Sequence, residues 1–420
     1  MKDLGGPPPQ FPLAERAAAA WTAEQQAAQP SLPDFTDTEL TFSHLTDRRL
    51  HGTRRLFRLM GMPWLTRLMG SVGVQAVNYR LPLANWLVRN TVYKQFVGGT
   101  TLEEAKTSIE LLAERNVSSI LDYGAEGKET PEGFRAAFEE SLRATRFAAD
   151  TAAVIGSVVK VTSLIPFAVL EQYNEQPLDF NQLPDPALQA GVDRLHDICR
   201  LGREAGCEVY IDAEESWIQG TIDQIAEHLM ATYNRDHHVV FTTCQLYRHD
   251  RLKFLKSSHL RARQNGYKLA LKIVRGAYMV KEGRRAEERG YASPIQPSAQ
   301  ATHRDFDAAA AYCLEHREEI ACCVASHNLN SVQQLLQRMQ EEGIPRDHPN
   351  VRFSQLLGMS GHLTFNLAEG GYNVSKYMVY GPVREVLPYL VRRAQENTSV
   401  TGEAGRELRM LDEEVRRRAS

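Results

Sequence analysis

Lys160 interrupts an apolar run, VVKVT, where a buried charge is costly unless it is paired or liganded. Two readings fit it: a side chain that snorkels outward between helices, or one that points into a cavity and binds an anion. Asp212 closes another such run, VYIDAEE, with Glu214 and Glu215 directly after it. Three neighbouring acids could hold a metal, but no histidine or further acid stands at ligand spacing, so no metal is expected. A single aspartate accepting a hydrogen bond from an amine is simpler. LKIVRGAY brings together Lys272, Val274, Arg275, Gly276, Ala277 and Tyr278. Two cations there suit a phosphate or the polar edge of a flavin, and small residues let a ligand approach the backbone. Solvated cations are the ordinary alternative. In YLVRRAQEN, Tyr389, Arg392, Arg393 and Glu396 recur at helical spacing and share one face. That face is either solvated or aims two guanidinium forks at a carboxylate.

Something must carry these groups. From residue 101 the chain alternates between short apolar runs and amphipathic stretches. The runs are VSSILDYG (117–124), SVVKVTSL (157–164), CEVYIDAEE (207–215), HVVFTTCQLY (238–247), LALKIVRGAY (269–278), ACCVASHN (321–328), VRFSQLLGM (351–359) and VSKYMVYG (374–381). Eight strand–helix units predict an α/β fold, a (β/α)8 barrel. Thr101 followed by Glu104 marks the start of the first helix. In such a barrel, chemistry gathers at the C-terminal ends of the strands. Those ends carry Asp122, Lys160, Asp212, Gln245, Arg275, Tyr278, His327, Asn328 and Tyr377.

The chain has 420 residues, 43% hydrophobic and 24% charged, with a net charge of −3. That is enough to bury a large core and provides no field for gripping nucleic acid. The six cysteines form no CxxC pair and fit a reducing compartment. No uncharged apolar run reaches the ~18 residues of a membrane span. GxGxxG, P-loop, HExxH and GxSxG motifs are all absent, so a flavin or nicotinamide would not be held in Rossmann fashion.

IVRGAYM with Lys272 three residues before Arg275, VYIDAEE, VASHN, QLLGM and YLVRRAQEN occur here in the order of one family. Together they resemble the proline dehydrogenases, in particular the monofunctional, eukaryotic-like branch that includes the hydroxyproline dehydrogenases. The resemblance runs from about residue 95 to about 415. It implies a distorted (β/α)8 barrel with an N-terminal helical arm, FAD held noncovalently at the strand C-termini, and the eighth helix over the barrel mouth. It also implies hydride transfer from proline C5 to flavin N5, giving Δ1-pyrroline-5-carboxylate, with electrons passed on to a membrane quinone.

The roles the resemblance implies follow residue by residue. Arg392, Arg393 and Lys160 bind the substrate carboxylate, Asp212 lies near the amine, and Glu396 holds the arginines. Ala277, Leu356, Tyr377 and Tyr389 wall the ring. Gln245 bonds the isoalloxazine, Lys272 sits near its N5 and pyrophosphate side, and Ala213, Val274, Arg275, Gly276, Ala277 and Tyr278 line the cofactor. Ser326, His327 and Asn328 contact the adenosine half, with Ser298 a weaker candidate. Lys160, Asp212 and Lys272 form the catalytic set. Lys272 stands where the bifunctional branch has Arg. At the position of Tyr377 the proline enzymes carry Tyr and the hydroxyproline enzymes a smaller Ser. Tyr377 therefore argues for proline, with 4-hydroxyproline as the alternative substrate. A non-catalytic amino-acid-binding barrel would have no use for Gln245, Val274–Ala277 or His327. Another flavin barrel, such as a methylenetetrahydrofolate reductase, would have none for an Arg–Arg clamp.

The expected organisation is a flexible N-terminus (1–35), a helical arm (36–100), the FAD-binding barrel (101–400) and a C-terminal helix (401–420). The N-terminus lacks an apolar signal region and the Arg/Ser bias of a transit peptide. A cytoplasmic location is expected, peripheral to the inner membrane, or on the matrix side of the mitochondrion in a eukaryote. The basic stretch 54–70 and the helix 405–420 are candidates for membrane contact. Ordinary packing of amphipathic helices is the simpler reading of both.

Overall fold

The computed structural model describes residues 31–61, 86, 88–124, 129–398 and 403–420, with backbone alone at 394–398 and 403–404. The expected flexible segment, up to residue 30, and positions 62–70 of the basic stretch lie outside the described residues.

Eight strands form: β1 (Val117–Tyr123), β2 (Val154–Val159), β3 (Glu208–Ile211), β4 (Val240–Gln245), β5 (Leu269–Val274), β6 (Ile320–Ala325), β7 (Val351–Leu356) and β8 (Val374–Tyr380). They close into a parallel barrel in chain order, with β1 paired to β8 from Val117↔Val374 to Tyr123↔Tyr380. Six of the expected runs contain their strand whole; β6 begins one residue before its run, and β2 begins at Val154, three residues before the expected 157–164 run, and ends at Val159. Their near-continuous apolar character is that of parallel strands covered on both faces.

The helices, in chain order, begin with α1 (Thr38–Phe42), α2 (Asp47–Met60), α3 (Leu102–Ala113), α4 (Pro131–Asp150), α5 (Phe167–Gln172), α6 (Pro186–Ala205) and α7 (Ser216–Tyr233). They continue with α8 (Arg251–Asn265), α9 (Met279–Arg289), α10 (Ala299–Glu315), α11 (Leu329–Glu341), α12 (Gly361–Glu369), α13 (Leu387–Thr398) and α14 (Glu403–Ala419). Their starts are written in the sequence. Thr101, Thr130 and Ser298 each accept an N–H from three residues on, and Asp185 accepts two. Glu104 reaches back to the N–H and hydroxyl of Thr100 at 2.8 and 2.7 Å.

By contacts the chain divides into two compact units. Unit one takes Lys128–Val324 and Arg338–Arg352; unit two takes Ser31–Gly127, Ala325–Gln337 and Phe353–Ser420.

In unit one the interior is partly polar. Arg352 on β7 bonds Glu208 at 2.6 Å and the Tyr210 hydroxyl at 3.1 Å, both on β3. These strands are not neighbours, so their side chains meet only through the barrel interior. Side chains alternate along a strand. Glu208, Tyr210 and Asp212 therefore climb one inward face toward the strand's C-terminal end.

In unit two, Leu50, Phe57 and Met60 of α2 share one core with Leu387, Tyr389 and Leu390 of α13 and Met410 and Leu411 of α14. Each such burial stabilises the fold by ~1.5–3 kcal/mol. The polar face of α2 is held as well. Arg54 and Arg58 pair with Asp412 on α14, Arg58 at 3.0 Å. The two segments that were candidates for membrane contact thus pack in part on each other. Among the described residues no helix is long and apolar enough to cross a membrane.

Candidate active site

Lys160 does not interrupt a strand. β2 ends at Val159, and Val161–Ser163 turn as a 3-10 helix. The turn has a cause. The buried Glu214 carboxylate takes the Thr162 N–H at 3.0 Å and its hydroxyl at 2.5 Å. Lys160 is left at the strand's end, its ammonium 3.8 Å from Asp212. Lys272, in mid-β5 and buried, donates to the other oxygen of the same carboxylate. Asp212 thus lies between two ammonium groups that approach it from β2 and β5. The outward, snorkelling reading of Lys160 does not apply, because the side chain is three-quarters covered and faces an acid.

The segment after Asp212 is fixed at Glu214, Glu215 and Ser216. Glu214 accepts Thr162, and its own N–H donates to Gln219 at 2.8 Å. Glu215 pairs with Lys281. Ser216 gives its N–H and hydroxyl to Glu282 at 2.7 and 2.6 Å. Burial pushes the Glu214 carboxyl up to about 7. These acids hold a loop in place; among the described residues no group of three or more histidines, cysteines or acids could bind a metal.

Gln245, at the end of β4, donates its amide to the Glu214 carbonyl at 3.0 Å. Its buried Oε1 has no hydrogen-bond partner among the described residues. Arg275 donates to His303 at 2.8 Å and lies over the Phe306 ring at 4.2 Å. Burial, then the Arg275 charge, lowers the His303 pKa, so its ring accepts. Gly276 has φ +134°, and a Cβ there would lie 2.3 Å from the Tyr247 ring. Tyr247 therefore demands this glycine, a reason the sequence did not suggest. Val274 ends β5, Ala213 is half-buried, Ala277 is exposed, and half-buried Tyr278 precedes α9. Ser298 caps α10 through its hydroxyl, which accepts the Ala301 N–H at 3.1 Å.

Unit two gathers a second set. Leu356 ends β7 in register with Tyr377 on β8, and both pack on the core that holds Tyr389. Arg393 is buried on the same helix, its guanidinium 5.1 Å from the Tyr389 ring centre. Arg392 is half-buried and has no ion-pair or hydrogen-bond partner among the described residues. The backbone of α13 carries Glu396, whose side chain is outside the described set. The His327 ring bonds the Ser360 hydroxyl at 2.9 Å. Ser326 accepts the Asn328 N–H, and Asn328 caps α11 by accepting the Ser331 N–H at 3.0 Å. Two of the expected cofactor contacts, Ser298 and Asn328, thus use a side-chain oxygen to start a helix.

Sequence reasoning missed three buried groups. Glu214 was noted only as a neighbour of Asp212. Arg352, in the strand run VRFSQLLGM, and Lys376, in VSKYMVYG, were passed over, although each puts a charge inside an apolar strand as Lys272 does.

Residues 105–406 match the family model described as proline dehydrogenase. The mitochondrial proline dehydrogenase 1 of Dictyostelium discoideum is 31% identical over 377 residues, covering 80% of this chain and 66% of that protein. The hydroxyproline dehydrogenase of Bos taurus is 31% identical over 418 residues, covering 87% and 90%. A solved structure of proline utilization A from Bdellovibrio bacteriovorus superposes with a TM-score of 0.69 at 20% identity, over 90% of this chain and 40% of that one. The chain thus spans about two thirds of the Dictyostelium protein and well under half of the Bdellovibrio chain.

Proposed function

The chain belongs to the proline dehydrogenase family, and from that premise we propose that it oxidises L-proline to Δ1-pyrroline-5-carboxylate with FAD as cofactor and a membrane quinone as final acceptor. The observation that carries this reading is the Asp212 carboxylate, just past β3, held between Lys160 after β2 and Lys272 within β5.

The donor set fits a flavin. Gln245 keeps a buried acceptor with no donor among the described residues, which suits a ring N–H. Arg275 is a cation fixed by His303 and the Phe306 ring, which suits a phosphate. Gln245, Lys272, Val274–Tyr278 and Ala213 would hold the ring and phosphates. Ser326 and His327, with weaker support from Ser298 and Asn328, would hold the adenosine half. When bound, FAD supplies a two-electron acceptor for the hydride from the substrate's C5.

The chain's own residues do the rest. Arg392 and Arg393 take the carboxylate, with Glu396 as their anionic partner. Lys160 adds a third cation. Clustered cations favour loss of a proton from the substrate ammonium, and the amine must be neutral to release a hydride. Asp212, already fixed by Lys272, accepts from that nitrogen and orients it. Leu356, Tyr377 and Tyr389, which pack on one core, exclude water around the ring.

Tyr377 favours proline over 4-hydroxyproline, since a bulky phenol leaves less room for a hydroxyl. The bovine relative keeps the second substrate in view. The visible spectrum before and after anaerobic L-proline tests the proposal. Flavin bands that bleach with proline support it. Bands that bleach only with 4-hydroxyproline move the reading to that substrate, and a protein that takes up no FAD overturns it.

A further inference from the structure

Lys376 lies on β8 beside Tyr377, yet its side chain is 3% exposed and takes no part in the mechanism above. Its ammonium donates to the carbonyl of Met359 at 2.6 Å and to that of Leu356 at 3.3 Å. Both acceptors belong to the connection between β7 and α12. This connection begins at Leu356, a proposed ring wall, and ends at Ser360, whose hydroxyl meets His327. Ser360 has φ +50°, a left-handed conformation that is strained for a non-glycine residue and persists only where the surroundings enforce it. Gly358 in the same connection is pressed against the Gln95 carbonyl, and its own carbonyl accepts Gln95 at 2.9 Å.

We propose that Lys376 is a positioning residue, its ammonium clamping the Leu356 and Met359 carbonyls and so setting both the Leu356 wall and the Ser360–His327 pair. The inference rests on the functional reading above, which gives Leu356 and His327 their roles. An ammonium makes stronger hydrogen bonds to carbonyls than a neutral amine does. Burial lowers the Lys376 pKa to about 7, with Glu407 on α14 opposing that shift. The charged and titratable groups facing it are Glu407 and His44. His362 of α12 lies 3.7 Å from Glu407, and Arg115 and Arg49 act on His44. Burial, then Arg115 and Lys376, lowers His44 to about 4, so it is neutral over the range where Lys376 titrates. The clamp is charged below neutrality and weakens above it.

Amide exchange across residues 357–364 of the full-length protein, without substrate, tests this. The segment includes the Leu357, Met359, Leu363 and Thr364 amides, each bonded to a backbone carbonyl. After correction for intrinsic rates, the wild type should exchange about tenfold faster there at about pH 8.5 than at about pH 6, with β4 and β5 unchanged. Lys376→Met should be fast at both. Glu407→Gln removes the anion that supports the ammonium, so its loosening should begin at lower pH. That variant and the wild-type pH series decide the matter even where Lys376→Met fails to fold. A pH-independent 357–364 segment in the wild type, or a Glu407→Gln profile identical to it, overturns the clamp. These readouts need no turnover. A wild type whose flavin proline fails to reduce would overturn the functional reading, and the exchange data would still decide the clamp.

Discussion

The carboxylate of Glu214 closes on the N–H and hydroxyl of Thr162, two residues past Lys160. This contact joins the turn that presents Lys160 to the segment that presents Asp212.

The Glu214 carboxyl is raised by burial from 4.5 to about 7. Between those values the folded chain keeps a proton that the unfolded chain has lost, so stability falls as pH rises through the window. Relative to Glu214→Gln, the wild type should lose on the order of 3 kcal/mol from about pH 4.5 to about pH 7.5. Urea unfolding of both across that range checks this, and parallel curves would remove Glu214 as the titrating group.

Arg392 is the accessible half of the proposed carboxylate clamp. Arg392→Met should raise the proline KM by about two orders of magnitude while leaving the melting temperature close to wild type. Arg393→Met should raise KM and also lose stability, because that guanidinium is buried over Tyr389. Steady-state kinetics beside thermal unfolding separates the two. An unchanged KM in Arg392→Met would end the clamp.

Lys272→Met should lose about 1–3 kcal/mol of stability and most of kcat, since it strips Asp212 of its closest cation. Lys272→Arg should recover part of both. A variant with wild-type unfolding midpoint and turnover would show that Lys160 alone fixes Asp212.

Tyr377→Ser should change the ratio of kcat/KM for 4-hydroxyproline to that for proline by about tenfold or more. A constant ratio would place the discriminating contact on another residue.

Arg352→Met should be the most destabilising of these changes, by about 3–5 kcal/mol, because it leaves Glu208 charged and unpaired in the barrel interior. Glu208 with Arg352 both made neutral should recover much of the loss. Additive effects in that double-mutant cycle would contradict the pairing.

The strands were legible because parallel strands covered on both faces must be apolar throughout, and few other segments of this chain are. Lys160 was legible as a cation that would not face solvent, but it follows β2 where the sequence suggested a place within the strand. What ends β2 is the Glu214–Thr162 contact across 52 positions, which no local pattern reveals. Asn328 and Ser298 stood before helical patterns, so their capping was readable, but the resemblance drew attention to ligand contacts instead. Lys376 and Arg352 broke apolar runs as visibly as Lys272 did. Their partners are a backbone carbonyl pair and a strand on the far side of the barrel, and sequence spacing encodes neither.

Unit two is assembled from distant parts of the chain: α1 and α2 near one end, α14 near the other, with Thr38 bonded to Glu414 and Arg418 to the Phe42 and Leu45 carbonyls. During translation this has a temporal consequence. Once residue 127 has been made, about 15–60 s of synthesis pass before α14 is complete, at ~5–20 residues per second. Through that interval Leu50, Phe57 and Met60 lack Met410 and Leu411 to cover them. The nascent chain therefore keeps these three apolar side chains without that part of their cover until α14 has emerged.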